Sequence, residues 1–334
     1  MFSLPPEFIS TIQNTFHEEG KAFLEALPES VAEASARWGL TEVKPVSNLS
    51  YNFVAFTKSP SPRGRGGRGE GIDVVLKMCV PNREARSEMA ALKLFNGEGA
   101  CRLLDYDEEK YWMLLERLKP GAMLATLEDD EEATRIAVEV MKRIWAPLDH
   151  VTLSGAKSLS NDGRDPSLSL RMTDQGKFIQ LTDWFFGGFE RLRKMFNGGT
   201  GPLNAKLVER AESSVKDFFA ENHRPVLMHG DFHHYNVLSS ERGWLVIDPK
   251  GVIGPACYEV GPFMLNPWES LLDRINLKSL IKRRIDILHE HLGFERERIR
   301  EWSLAHAILS AWWGIEDNTG WEYAMQFAKM IATL

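Results

Sequence analysis

The residues best equipped for chemistry lie between Val226 and Gly254, in the stretch VLMHGDFHHYNVLSSERGWLVIDPKGVIG. Val237-Leu238 and Trp244-Leu245-Val246-Ile247 are apolar and partly β-branched, and the turn-rich Ser239 to Gly243 separates them, which predicts a small hairpin. Asn236 stands at the entrance of that hairpin and Asp248 at its exit, while Asp231 sits in a loop beside His229. Two carboxylates and an amide are thus delivered to one end of one hairpin. Phosphoryl transfer needs such a set. One carboxylate receives the proton of an acceptor hydroxyl, and an amide oxygen with a second carboxylate holds Mg²⁺ on nucleotide phosphates. Gly230 lets the backbone bend close to a substrate, and His229 is expected to anchor the loop as a structural histidine.

A second polar group stands out far upstream. Val74-Val75-Leu76-Lys77 is an apolar β run closed by a lysine, which is costly to bury unless it is paired. The helix expected from about Asn82 to Phe95 offers Glu84 and Glu88, one turn apart on one face. Glu88 is the preferred partner, because Met89-Ala90-Ala91-Leu92 places it in mid-helix. Before this, Ser47-Asn48-Leu49-Ser50-Tyr51-Asn52 lacks glycine, yet its small side chains and backbone N–H groups suit phosphate, with Ser50 and Asn52 the residues of interest.

The elements needed to position these groups can be read outward. Phe8, Ile12 and Phe16, then Phe23 to Ala34, recur at helical spacing, and Pro28-Glu29-Ser30 is expected to divide them into two helices. Val54-Ala55-Phe56, Ile72 to Met78, Arg102 to Leu104 and Tyr111 to Leu115 read as strands. Glu116-Arg117-Leu118-Lys119-Pro120-Gly121 breaks the sheet, and the domain boundary is expected there, giving units 1–118 and 119–334. Beyond it the chain is mainly helical, with helices over Ala133 to Trp145, Phe178 to Phe196, Leu203 to Asn222, Ile275 to Leu292 and Glu297 to Ile315. The acidic run Asp129 to Glu132 reads as a solvated helix start. Ser154 to Gly176 reads as a polar loop or cover. The late segment Ala311-Trp312-Trp313-Gly314-Ile315-Glu316-Asp317 could cradle a polyhydroxylated cation with its aromatics and two carboxylates.

Several function classes are disfavoured. The 334 residues are 43% apolar, which describes a globular chain, and the net charge of -7 is the reverse of a nucleic-acid binder's. An acidic balance is compatible with a cationic small substrate. No apolar run is long enough for a membrane, and the first ten residues lack a signal peptide's pattern. Three cysteines without metal-like spacing suggest free thiols and a cytoplasmic setting. Gly64 to Gly69 formally satisfies G-x-G-x-x-G, but Pro and Arg precede it and a strand follows, so it reads as a loop and not a dinucleotide site. Gly20-Lys21 and Gly176-Lys177 lack the Ser or Thr of a phosphate-binding loop. His289-Glu290-His291 lacks the spacing of a zinc helix, and His233-His234 reads as structural.

His229-Gly230-Asp231 with Asn236 and Ile247-Asp248 resembles the aminoglycoside phosphotransferase branch of the kinase-like fold, Gly230 standing for the Arg of the kinase loop. Leu49-Ser50-Tyr51-Asn52, Val75-Leu76-Lys77, Leu115-Glu116-Arg117-Leu118, Asp248-Pro249-Lys250-Gly251 and Leu309-Ser310-Ala311-Trp312-Trp313 are similar to the streptomycin 6-phosphotransferase and hydroxyurea phosphotransferase family. The resemblance implies an α+β, bilobal, protein-kinase-like fold, with an antiparallel sheet and helices in the N-lobe and a mainly helical C-lobe. It implies ATP or GTP with Mg²⁺, and phosphate transfer to a hydroxyl of a cationic, polyhydroxylated small molecule such as streptomycin, with no obligate protein partner. By that resemblance Asp231 is the base, Asn236 and Asp248 hold the metal, and Lys77 with Glu88 clamps phosphates. Backbone groups near Glu116 and Leu118 meet the purine, and Glu259, Trp312, Glu316 and Asp317 border the acceptor. Glu259 departs from the family pattern, where Asp is usual. The alternatives are a kinase for hydroxyurea or an ordinary metabolite, or a nucleotide-binding module with weak catalysis.

Overall fold

The strand carrying Lys77 is buried on both faces, and the N-terminal part of the molecule is built around it. The computed structural model describes residues 3–60, 71–147, 177–221 and 224–334. The Arg/Gly loop from 61 to 70 and the cover expected from Ser154 to Gly176 lie outside the described residues.

The chain opens with helix α1 (Pro6–Trp38), then strands β1 (Thr41–Pro45), β2 (Asn52–Ser59) and β3 (Ile72–Cys79), helix α2 (Arg83–Phe95), and strands β4 (Leu103–Asp107) and β5 (Trp112–Glu116). The strands form one antiparallel sheet in the order β1-β2-β3-β5-β4. One face, with Phe53, Val74, Leu76, Met78 and Leu114, packs on Phe8, Ile12, Leu27, Val31 and Ala34 of α1. The other turns Cys79, Met113 and Leu115 toward α2. Burial on both faces explains why β3 reads as a nearly continuous apolar run.

The break in α1 falls at His17, with φ of 50° and ψ of -121°, and not at Pro28 as expected. Pro28 costs one backbone hydrogen bond, but Leu27, Val31 and Ala34 keep the apolar stripe running through it and bury against the sheet. Glycine at position 20 lets the second segment approach the Ile12 carbonyl more closely than a Cβ would permit.

After β6 (Pro120–Met123) come α3 (Asp130–Ile144), β7 (Ala146–Pro147), β8 (Ile179–Gln180), α4 (Leu181–Met195) and α5 (Ala205–Ala220). Strands β9 (Val226–Met228), β10 (Val237–Ser240), β11 (Gly243–Val246) and β12 (Val252–Gly254) precede helices α6 (Val260–Met264), α7 (Leu277–Leu292), α8 (Arg296–Glu316) and α9 (Glu322–Ile331). Helix α9 was not anticipated from the sequence. Its Ala324, Met325, Phe327 and Ala328 complete the cover of α8.

The acidic start of α3 is more than a solvated helix end. Asp129 caps the helix, accepting from the N–H groups of Glu131 and Glu132. Asp130 receives Nε of the buried Arg284 of α7 at 2.9 Å, and Arg284 Nη1 also donates to the Asn266 carbonyl at 2.7 Å. A buried guanidinium requires such an anion, and that requirement recruits one carboxylate of the run into the interior. The three cysteines, Cys79, Cys101 and Cys257, are free and buried.

Candidate active site

The hairpin of β10 and β11 pairs Val237 with Val246 and Ser240 with Gly243. The ladder runs one step further, where Ile247 N–H donates to the Asn236 carbonyl at 2.9 Å. Asn236 and Asp248 therefore leave the hairpin side by side at its open end. Asp248 adopts a φ of 58°, a left-handed conformation that Asp tolerates better than most residues. Its carboxylate is turned to Lys77.

The loop with Asp231 is fixed from behind. The buried carboxylate of Glu259 accepts the N–H groups of His229 at 2.8 Å and Gly230 at 2.9 Å. His229 Nε2 lies 2.9 Å from the Ile247 carbonyl, and its Nδ1 accepts from Asp231 N–H at 3.2 Å. Those contacts define a neutral ring protonated on Nε2, and burial lowers the imidazole pKa to about 4. Gly230 has a φ of 88°, and a Cβ there would collide with the Val252 side chain. Asn236 Nδ2 donates to the Asp231 carbonyl at 3.1 Å and lies 3.2 Å from His233 Nε2, and its acceptor oxygen Oδ1 takes no part in these contacts.

The N-terminal sheet supplies the opposing cation. Lys77 Nζ stands 2.5 Å from Glu88 Oε1 and 2.5 Å from Asp248 Oδ1. Burial disfavours the ammonium, but Asp248 and Glu88 reverse this and hold it charged. Ser87, the neighbour of Glu88, donates from Oγ to the Gly251 carbonyl at 2.6 Å. Helix α2 is thereby joined to the loop after Asp248 by a hydrogen bond, and to Asp248 itself through the shared Lys77.

Burial would also raise the two aspartates. For Asp231 it is overcome by His233, whose Nε2 is 3.6 Å from Oδ2, and by Lys250. For Asp248 it is overcome by Lys77 and then Lys250. Both carboxyls are held well below the usual range and are anionic at neutral pH. Lys250 and His233 were not singled out as site residues from the sequence. The signal for Lys250 was a lysine in a tight Asp-Pro-Lys-Gly turn between two buried strands, directly after a candidate ligand.

Other expected site residues lie at varying distances from this centre. Ser50 is exposed in the turn before β2, and Asn52 opens β2 opposite Cys79. Between them, Tyr51 lies within electrostatic reach of Asp317, Lys250 and Glu84, and burial raises its hydroxyl pKa. The Glu116 side chain is occupied by Arg242 Nη2 at 2.5 Å, and its backbone lies in the β5 ladder opposite Val74. The Leu118 side chain belongs to the buried core beneath α2. Asp317 is exposed at the end of α8, and partial burial with Glu316 and Glu84 raises its carboxyl.

Three acceptor residues need correction. Trp312 is fully buried in the helical core and presents nothing to a ligand, because α8 is apolar on nearly every side and is enclosed by its neighbours. Glu259 is not a pocket wall but the support beneath the His229 loop, and both its oxygens are committed there. Glu316 is held by a bidentate pair with Arg191 of α4 at 2.6 and 3.0 Å, an anchor between helices.

The donor set suits a hard divalent cation. Asn236 Oδ1 and the oxygen of Asp248 not bonded to Lys77 are the available protein ligands. No cluster of three or more His, Cys, Asp or Glu side chains occurs among the described residues. Mg²⁺ is compatible with so few ligands, since it keeps several waters and takes the rest from phosphates.

Comparison with known proteins places this geometry. A crystal structure of a thermostable mutant of aminoglycoside phosphotransferase APH(4)-Ia, in ternary complex with ADP and hygromycin B, superposes with a TM-score of 0.55 at 12% identity, covering 90% of this chain and 96% of that one. The choline kinase LicA from Streptococcus pneumoniae gives 0.57 at 11% identity, over 92% of this chain and 99% of that one. Streptomycin 6-kinase of Streptomyces glaucescens is 28% identical over 320 residues, 96% of this chain and 93% of that protein. Hydroxyurea phosphotransferase of Kitasatospora aureofaciens is 29% identical over 322 residues, 94% of this chain and 81% of that protein. Fold and relatives together define a phosphotransferase of the protein-kinase-like class. Residues 59–154 and 172–318, more than half of the sequence, match the model of the aminoglycoside/hydroxyurea antibiotic resistance kinases, and the chain belongs to that family.

Proposed function

We propose that this protein transfers the γ-phosphoryl group of a nucleoside triphosphate to a hydroxyl of a streptomycin-like aminoglycoside in the cytoplasm, inactivating the antibiotic. The observation that carries the reading is the meeting of Lys77, Glu88 and Asp248 with the Asp231 loop at the open end of one hairpin. In this reading Lys77, oriented by Glu88, binds the α- and β-phosphates, and the turn from Ser50 to Asn52 covers them. Asn236 and Asp248 hold Mg²⁺, which neutralises charge on the phosphates when bound. Asp231 orients the acceptor hydroxyl and receives its proton, and its depressed pKa keeps it ready as an anion. Backbone groups from Glu116 to Leu118 meet the purine of ATP or GTP. The lobes divide at 118/119, which is supported by β5 ending in the five-stranded sheet while β6 pairs with β10. Asp317 remains as an acceptor-side carboxylate suited to a cationic aminocyclitol.

The hydroxyurea phosphotransferase relative, as similar as the streptomycin kinase, favours hydroxyurea as a second acceptor. The test is a coupled assay of ADP or GDP release with streptomycin, hygromycin B, hydroxyurea and choline, each with Mg·ATP and Mg·GTP. Streptomycin-dependent release is the expected result. Turnover with choline alone would overturn the aminoglycoside assignment, and turnover with hydroxyurea alone would replace it by the second acceptor.

A further inference from the structure

The cleft contains a second lysine whose position differs from that of Lys77. Lys77 is fixed between two carboxylates at 2.5 Å on either side and is buried. Lys250 has its backbone fixed and its ammonium loosely tied. Its N–H donates to the His229 carbonyl at 2.8 Å, which joins the Asp-Pro-Lys-Gly turn to the loop of Asp231. A Cβ built on Gly230 would lie 3.4 Å from Lys250 Cβ, so the side chain springs from a point beside the residue preceding Asp231. The Nζ atom stands 3.5 Å from Glu84 Oε2, at the exposed first turn of α2. Glu84 is half-exposed there while the Lys250 side chain is 24% exposed, and a pair at this separation with one solvated partner contributes little to stability. Tyr51, from the turn before β2, lies within electrostatic reach of the same ammonium.

We propose that Lys250 is a catalytic residue that leaves Glu84 to bind the transferring phosphoryl group. This rests on the kinase reading and extends it. Between Asp231 and Asp248 the reaction passes a group whose charge is spread over three equatorial oxygens. In the transfer, the acceptor oxygen forms its bond to the γ-phosphorus while the bond from that phosphorus to the β,γ-bridging oxygen breaks. The bonding pair stays with the nucleoside diphosphate, and the acceptor proton goes to Asp231. Lys77 is committed to Glu88 and Asp248 and stays on the side of the α- and β-phosphates. Lys250 is rooted in the turn directly after the metal carboxylate, and its N–H bonds that turn to the His229 carbonyl of the loop carrying the base. Its four-carbon stem and rotatable ammonium suit a charge that follows a moving group. Glu84 is the resting place of that charge, near enough to hold it and too weakly paired to keep it.

The experiment compares parent, Lys250→Met, Lys250→Arg and Glu84→Gln. Dissociation constants are measured for Mg·AMP-PNP and Mg·ADP, and kcat for Mg·ATP with the fastest acceptor of the panel above. Lys250→Met is expected to weaken Mg·AMP-PNP by about tenfold or more, the value of a charge-assisted hydrogen bond, and to leave Mg·ADP within about twofold. Its kcat is expected to fall about 10²–10³-fold, as when one preorganised donor to developing charge is removed. Lys250→Arg should recover part of both losses, and Glu84→Gln should lower neither. If Lys250→Met does not fold, the Arg and Glu84 variants still decide, since a role confined to the Lys250–Glu84 pair makes Glu84→Gln as damaging as loss of the lysine. That equality, or an unchanged ratio of the two nucleotide affinities in Lys250→Met, overturns the proposal. A parent that binds neither nucleotide overturns the kinase reading itself, whereas a parent that turns over while Lys250→Met turns over equally well overturns the role of Lys250 alone.

Discussion

At the scale of the residue, the site works by setting the charge of a few buried groups. Asp231 is kept anionic by His233 and Lys250 against its own burial. Replacing it with Asn retains the shape and removes the proton acceptor. The kcat of Asp231→Asn is expected to fall about 10²–10⁴-fold, the range of general acid–base groups, with little change in nucleotide affinity. Steady-state kinetics beside a nucleotide titration check this, and a lost affinity would recast Asp231 as a metal ligand. His306 offers a pH test on a single buried ring. Its Nδ1 lies 3.1 Å from the Tyr258 hydroxyl, and burial lowers its pKa to about 4, with Asp231 opposing and His233 adding to the shift. The folded pKa is below the unfolded one, so its contribution is present above about pH 6.5 and is lost as pH falls toward 4. Between pH 7.5 and pH 5 the stability advantage of the parent over His306→Gln should shrink by about 2 kcal/mol, measured by urea unfolding at both values. A gap that stays constant would refute a neutral buried imidazole.

At the scale of the element, helices are fixed to one another by ionic contacts that pattern alone could not reveal. Asp130→Ala leaves Arg284 buried and unpaired between α3 and α7, and is expected to cost about 3–5 kcal/mol. The joint change Asp130→Leu with Arg284→Met should restore most of that loss, since an apolar pair of similar volume has no charge to solvate. Denaturant midpoints of the three proteins decide it, and equal destabilisation of single and double variants would refute the account. The example also marks the limit of reading a sequence. Apolar periodicity located β2, β3, α2 and the hairpin, because burial imposes a period on local sequence. The spacing of Glu88 from the strand lysine singled it out as partner, since that pair depends on one strand and the next helix. Long-range partners leave no such imprint. Arg284 lies 154 positions from Asp130, and Arg191 lies 125 positions from Glu316. For the same reason the acidic run read as solvated and the Glu316 end of α8 read as open. Trp312 misled because an aromatic at a helix end looks alike in a pocket and in a core until α9 is known to cover it.

At the scale of the whole molecule, the site exists only where the sheet and the hairpin meet. A nucleotide spanning that junction should stabilise the fold as a unit. Mg·ATP at about 100 times its dissociation constant is expected to add about 2.7 kcal/mol, and Lys77→Met should abolish most of that gain. Thermal unfolding with and without Mg·ATP checks this, and an equal gain in parent and variant would place the nucleotide elsewhere. Lobe motion during such binding can be followed with dyes, thanks to the three cysteines. All are shielded from solvent, and burial pushes the Cys101 thiol up to about 12, so thiolate, the form that reacts, is scarce as well as hidden. The native protein is therefore expected to react little with maleimides. Cysteines placed at two exposed positions, Glu19 on α1 and Glu290 on α7, would carry a donor and an acceptor fluorophore without any native thiol having to be removed.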